Sequence, residues 1–333
     1  MATHDRPFHQ GPFDDLPAHP NRPHAFLDLP AKELSMRSTR YGRQRIRYRD
    51  TGTGPPLLLV HGLMTTSYSW RYVMARLGEH FRVVAVDLPG CGNSEAPPDA
   101  TFRGAEIGEW LAEFQRALGI EGCAAVGNSM GGLPLLHRVL EDPTAFEKVA
   151  ILHSPLLPEF KHRALAVVLA LPGVRSGLAA YVRRQPYRWA HHRTHYFDET
   201  VKSLEEAGEY GSPLATSAGS RAFVSHLRDG LHPRDLTALA RRLAALDEFP
   251  VPLLAVYGTE PDPIVPPQVA VTFARHLPTA RMVRIDRASH FVHVDRPDTV
   301  ADTIIEFLCA EQGSADNPCH RPLQRDGSPD NRT

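Results

Sequence analysis

A chain of 333 residues with 42% apolar and 23% charged side chains can bury one large α/β domain with an insertion, or two ordinary domains. Its formal net charge of −1 gives no electrostatic reason to bind nucleic acid, and no apolar run approaches the roughly 20 residues of a membrane span. The cysteines Cys91, Cys123, Cys309 and Cys319 lack C-x-x-C spacing and the N-terminus lacks a signal-type apolar segment, so free thiols in a reducing, cytoplasmic setting are expected.

Residues 1–34 are rich in proline, which fixes φ and removes a backbone donor; this lead is expected to be extended or disordered. The polar tail, residues 312–333, reads the same way. Between them, residues 35–40 and 44–50 alternate in polarity and form a hairpin at a sheet edge. A turn cluster, Thr51-Gly52-Thr53-Gly54-Pro55-Pro56, leads into a continuous apolar run over residues 57–61. Similar runs over 83–87, 124–128, 149–153, 253–257 and 282–285 read as strands buried on both faces. Helical spacing of apolar residues predicts helices over 68–78, 105–118, 130–141, 268–276 and 299–310. This alternation specifies a mostly parallel sheet with helices on both faces, its two core parts being residues 35–154 and 251–311. Residues 155–250 contain no convincing buried strand and read as a helical cap over the carboxyl ends of the strands, where open α/β sheets bind ligands.

The stretch Gly127-Asn128-Ser129-Met130-Gly131-Gly132 joins a buried strand to a helical run. G-x-S-x-G in that setting demands a tight turn, with small residues letting strand and helix approach and the serine hydroxyl projecting outward in a strained backbone. Ser129 would also sit at a helix N-terminus, where N–H groups favour developing negative charge.

With three further motifs, from residue 40 to residue 309 the chain resembles the α/β-hydrolase superfamily, and the resemblance implies an eight-stranded sheet. His61-Gly62-Leu63 follows the first long buried strand, and Asp87-Leu88-Pro89-Gly90-Cys91-Gly92-Asn93-Ser94 is similar to the family's D-x-x-G-x-G-x-S turn. Gly258-Thr259-Glu260-Pro261-Asp262 and Ser289-His290 resemble its acid and histidine loops. The family's chain order of nucleophile, acid and histidine assigns these roles to Ser129, Asp262 and His290. Glu260 and Glu159 are alternative acids, His293 is the alternative base, and Ser289 stands where many relatives have glycine. The resemblance also implies an oxyanion hole built from the backbone N–H groups of Leu63 and Met130, with His61 supporting the loop beneath.

A serine hydroxyl needs a base in hydrogen-bond reach, and that base needs an orienting group. Such a triad needs no cofactor and no metal. The first expectation is hydrolysis of a carboxylic ester or lactone through an acyl-enzyme, on a small apolar substrate, without nucleic acid and without stable membrane insertion. Gly-Asn-Ser-Met-Gly-Gly is also the form seen in many carbon–carbon bond hydrolases of the meta-cleavage-product type, and an acyltransferase or cyclase would use the same triad. Residues 67–71 resemble haloalkane dehalogenases and epoxide hydrolases, but those enzymes use a carboxylate nucleophile where this chain has Ser129. His191, His192 and His195 share helical spacing without a matching carboxylate or cysteine, and read as a solvated or pocket-lining patch. Arg175, Arg183, Arg184, Arg188 and Arg193 read as a solvated face, or as a lid attracting an anionic substrate.

Overall fold

The computed structural model describes residues 10–262, 264–266 and 268–310. Eight strands form one sheet in the order β1-β2-β4-β3-β5-β6-β7-β8. β1 (Ala31–Ser38) and β2 (Gly42–Thr51) form the antiparallel hairpin. β2 pairs antiparallel with β4 (Arg82–Val86), and every pairing from β4 onward is parallel: β3 (Pro56–Val60), β5 (Ala124–Asn128), β6 (Val149–Leu152), β7 (Leu253–Gly258) and β8 (Arg281–Ile285).

The buried strands split their side chains between two cores, as a period of two requires. Leu58, Val60, Val84 and Val86 point into one core, and Leu57, Leu59, Val83 and Ala85 into the other. The first is closed by α2 (Gly104–Leu118), α3 (Gly132–Glu141) and α10 (Gln268–His276), the second by α1 (Met74–Gly78) and α12 (Pro297–Cys309). A one-turn helix, α11 (Val292–Asp295), precedes α12. Two predicted helices begin differently. Residues 67–70 form a 3₁₀ turn before the short α1, and residues 129–131 form another before α3. The tighter first turn at 129 follows from the crowded elbow, where i→i+3 bonding shortens the helix entry.

Between β6 and β7 the chain is helical: α4 (Phe160–Ala170), α5 (Val174–Arg184), α6 (Pro186–Arg193), α7 (Leu204–Leu214), α8 (Ser217–Asp229) and α9 (Pro233–Ala244). Leu169, Ala179, Val182, Leu214, Phe223 and Val224 form the insertion's own apolar cluster.

Of the lead expected to be extended or disordered, the described part, residues 10–34, is ordered. From Gln10 onward it is a defined strap, and β1 already begins at Ala31. The Leu204 and Glu205 N–H groups donate to the Pro17 and Ala18 carbonyls (2.8 and 3.0 Å). Arg22 donates to the Val294 carbonyl (2.8 Å), and Phe26 is buried. Proline excludes a helix or strand here, but an extended segment can still satisfy its carbonyls against other elements. Residues 1–9 and the tail expected to be disordered, residues 312–333, lie outside the described residues. Cys91 and Cys123 are free, but Cys309 is disulfide-bonded, against the expectation of free thiols. Disulfide formation depends on Cα separation in space, so scattered positions do not preclude it. The thiol pattern therefore loses its bearing on compartment.

The elbow's close approach can be tested. A Cβ at Gly127 would lie 2.5 Å from the Gly131 carbonyl oxygen and 2.7 Å from the Gly132 Cα, both backbone atoms. Gly127→Ala is expected to cost roughly 1–3 kcal/mol, as overpacking of a rigid site does, read as a lower urea midpoint at unchanged m-value.

Candidate active site

Strand ends bring the sequence-predicted residues together. Ser129 follows β5 and takes a positive φ of 53°, the strained conformation expected of the elbow. Its hydroxyl donates to His290 Nε2 at 2.8 Å, and His290 Nδ1–H donates to Asp262 Oδ2 at 2.8 Å. The Asp262 contact fixes the tautomer, leaving Nε2 free to accept. All three residues are buried.

Asp262 is held by several donors. The Ile264 N–H bonds to Oδ1 (2.8 Å) and the Val265 N–H to Oδ2 (3.0 Å). His153, which sequence reasoning took only as the end of a strand, supplies another: its Nε2 lies 3.1 Å from Asp262 Oδ2. His153 Nδ1 accepts from the Gly258 N–H (3.2 Å), so Nε2 carries the proton. The signal was its place at the carboxyl end of β6, beside the strand bearing Ser129, where its φ is 49°. Burial raises the Asp262 pKa, but the facing His290 and the hydrogen bonds from His153 and His290 outweigh it and hold the carboxyl far below the usual range.

The His290 pKa is lowered as well, here by burial itself, to below the ordinary 6.5, and the attraction of Asp262 only partly restores it. A histidine acting as general base must be neutral. The acid limb of kcat/KM for an ester is therefore expected below 6.5, with activity lost as pH falls through it. An acid limb above the ordinary histidine value would contradict this assignment.

Two further residues brace the histidine loop. Asn128 Nδ2 donates to the carbonyls of Leu152 (3.1 Å) and His290 (3.3 Å), tying β5 to β6 and to the base. Ser289 donates from N–H (2.9 Å) and hydroxyl (3.0 Å) to Asp295 Oδ2. Asp295 also accepts from the Phe197 N–H in the insertion (2.9 Å). Burial pushes its carboxyl up to about 7 despite these donors. The serine at 289 is thus explained by a partner six residues on, a contact that the motif alone does not display.

The alternatives lie elsewhere. His293 packs against Trp70, the rings tilted by 32° with centroids 4.5 Å apart. Glu159 caps α4. His61 accepts from the Leu88 N–H through Nε2 (3.0 Å) and bonds the Gly62 carbonyl through Nδ1 (2.8 Å), supporting the loop that carries Leu63. Leu63 and Met130 border the same cavity as Ser129 and His290.

That cavity has a volume of about 550 Å³. Its walls are mainly apolar, from Leu165, Leu178, Trp189, Phe223 and Leu227 of the insertion, with Lys161, Arg193 and His195 among them and no carboxylate. A separate, more polar chamber of about 510 Å³, lined by Arg47, Arg49, Asp87 and Glu209 among others, does not border Ser129. His153, Asp262 and His290 also place three ligand-type atoms within 4.8 Å of one another. Each is already engaged: Asp262 with four donors, His290 with Ser129 and Asp262, and His153 with Gly258 and Asp262. A metal would have to displace the hydrogen bonds that order the triad. In the helical patch, His191 Nε2 bonds the Gly11 carbonyl (3.0 Å), while only His195 reaches the cavity.

The family model for the alpha/beta hydrolase fold matches residues 55–297, and the chain belongs to that family. It is an enzyme, a hydrolase. It is 28% identical over 274 residues to haloalkane dehalogenase 2 of Mycobacterium tuberculosis, covering 79% of this chain and 91% of that one. It is 25% identical over 285 residues to 2-hydroxymuconate semialdehyde hydrolase of Pseudomonas sp. strain CF600, covering 81% and 93%. Among solved structures, a thermophilic esterase from Thermogutta terrifontis superposes with a TM-score of 0.66 at 24% identity, covering 84% of this chain and 98% of that chain. The epoxide hydrolase CorEH gives a TM-score of 0.70 at 22% identity, covering 85% and 100%. These structural likenesses bear on the fold.

Proposed function

We propose that the protein hydrolyses a carboxylic ester or lactone through an acyl-enzyme formed on Ser129. The observation that carries this reading is the unbroken line from the Ser129 hydroxyl through His290 to Asp262, at 2.8 Å for each step. In this mechanism His290 removes the hydroxyl proton as Ser129 attacks the carbonyl, then returns it to the leaving alcohol. Asp262 keeps the imidazole in its tautomer and stabilises the imidazolium that forms. The N–H groups of Leu63 and Met130 stabilise the tetrahedral oxyanion. Water then repeats the sequence on the acyl-enzyme and releases the acid. Displacement at a carbon–halogen bond would need a carboxylate nucleophile, and position 129 is a serine.

The apolar walls of the cavity support a small apolar acyl or alkyl group as the recognised part of the substrate. Short p-nitrophenyl esters and a vinylogous dienone, assayed side by side, test the reading. Ester turnover with a burst of p-nitrophenol is expected. Turnover of the dienone alone would replace the ester with carbon–carbon bond hydrolysis, and transfer to an added alcohol without acid release would replace hydrolysis with acyl transfer.

A further inference from the structure

The insertion's first helix is apolar on two sides. Leu165 faces the catalytic cavity and Leu169 the insertion's core. The opposite stripe, Phe160, Ala164, Val167, Val168 and Leu171, follows helical spacing and faces outward. Phe160 is 85% exposed, Val167 67%, Leu171 53% and Val168 49%, and on α5 Tyr181 is 62% exposed. Large apolar side chains so concentrated on one short hairpin mark an interaction surface.

Past Glu159, which pairs with Lys161 (3.3 Å), charge along that stripe is one-sided. From Phe160 to Phe197 the chain has no Asp or Glu, yet it carries Lys161 and six arginines, although the whole chain is nearly neutral. Arg163, Arg175 and Arg184 are exposed and make no side-chain hydrogen bond or ion pair among the described residues. Among the described residues no single helix is long and apolar enough to cross a membrane, but α4 and α5 together have the length and apolar composition of one, with a bend of 102° between them. Bent at that angle, the pair suits lying in an interface better than crossing one.

We propose that the outer face of α4 and α5 docks on an anionic phospholipid bilayer, with the apolar stripe entering the headgroup–acyl boundary and the arginines pairing with lipid phosphates and carboxylates. The charge complementarity selects this occupant: an exposed apolar stripe flanked by unpaired cations matches an anionic interface. The same two helices wall the Ser129 cavity through Lys161, Leu165 and Leu178. Docking therefore holds the cavity wall against the lipid, where apolar esters partition.

The full chain is sedimented with vesicles of phosphatidylcholine alone and of phosphatidylcholine with phosphatidylserine, at low and high salt. Binding to the serine-containing vesicles is expected, weakened about tenfold or more by high salt and by Arg175→Gln with Arg184→Gln. Val167→Ser with Val168→Ser is expected to weaken it comparably, while turnover of a water-soluble short ester stays unchanged in both double variants, which shows that they fold. That control separates the docking surface from the proposed chemistry at Ser129. Failure of the wild type to sediment with either vesicle, or binding indifferent to the Val167/Val168 pair, would overturn the proposal.

Discussion

Replacing His290 by alanine is expected to lower ester kcat by about 10⁴- to 10⁶-fold in protein that remains folded. Ser129→Ala is expected to fall as far, and the double variant little further, because groups that act as one unit are grossly non-additive. The size follows from the geometry. His290 is the one ring within hydrogen-bond reach of the Ser129 hydroxyl among the described contacts, so no neighbour can replace it as base. His293 cannot swing into its place, since it is fully buried against Trp70. Asp262→Asn should cost about 10⁴-fold, as an asparagine in that position favours the wrong tautomer of the histidine. Steady-state rates on a short p-nitrophenyl ester, with calorimetry on the same samples, check all four variants. A His290→Ala rate within about tenfold of wild type would remove the base from the account.

The second large effect concerns stability. Arg71 has a side chain of 0% exposure and lies 2.6 Å from Glu206 Oε2. Tyr196 donates to the same oxygen (2.7 Å), Arg71 also reaches the Tyr210 hydroxyl (3.3 Å), and its guanidinium lies 4.5 Å from the ring centres of Tyr68 and Tyr72. This cluster fastens α7 to the turn after β3. Removing one partner of such a pair strands the other charge in a dry site, at about 3–5 kcal/mol. Arg71→Met is therefore expected to lower unfolding stability by about that amount. Burial already raises the Glu206 pKa above 4.5, and losing Arg71 raises it further. A carboxyl with a raised folded pKa favours the fold at low pH, and that advantage disappears as pH rises through the folded value. The Arg71→Met deficit should accordingly be larger at about pH 8 than at about pH 5, and adding Glu206→Gln should recover part of it. Urea unfolding at the two pH values checks both statements.

The effect should reach the site as well. The Tyr196 ring packs 5.3 Å from that of Phe291, the residue after His290. A looser Arg71 cluster thus loosens the wall behind the base.

The strands and the triad positions were legible because their signals are local. A run such as Leu57–Val60 announces burial on both faces, and Gly127 to Gly132 announces a strand-to-helix elbow within six residues. Asp262 and His290 each sit just past such a run. What could not be read was set by contacts distant in sequence. The strap owes its order to residues nearly two hundred positions away, such as Leu204 with Pro17 and Arg188 with Asp14. His153 looked like a strand terminus, because its partner Asp262 comes from a different loop. Arg71 read as one more charged residue in a helical period, and only the fold shows it buried with Glu206. The outward stripe of α4 was hidden for a related reason: an apolar run does not say which of its faces another element covers.

The account rests on Ser129 being a nucleophile activated by His290. Incubating the folded protein with a fluorophosphonate probe and mapping the adduct by mass spectrometry tests this most directly. The account predicts one adduct on the peptide containing Ser129, absent in Ser129→Ala and strongly slowed in His290→Ala. An unlabelled Ser129 in folded protein, or labelling at the same rate without His290, would contradict it.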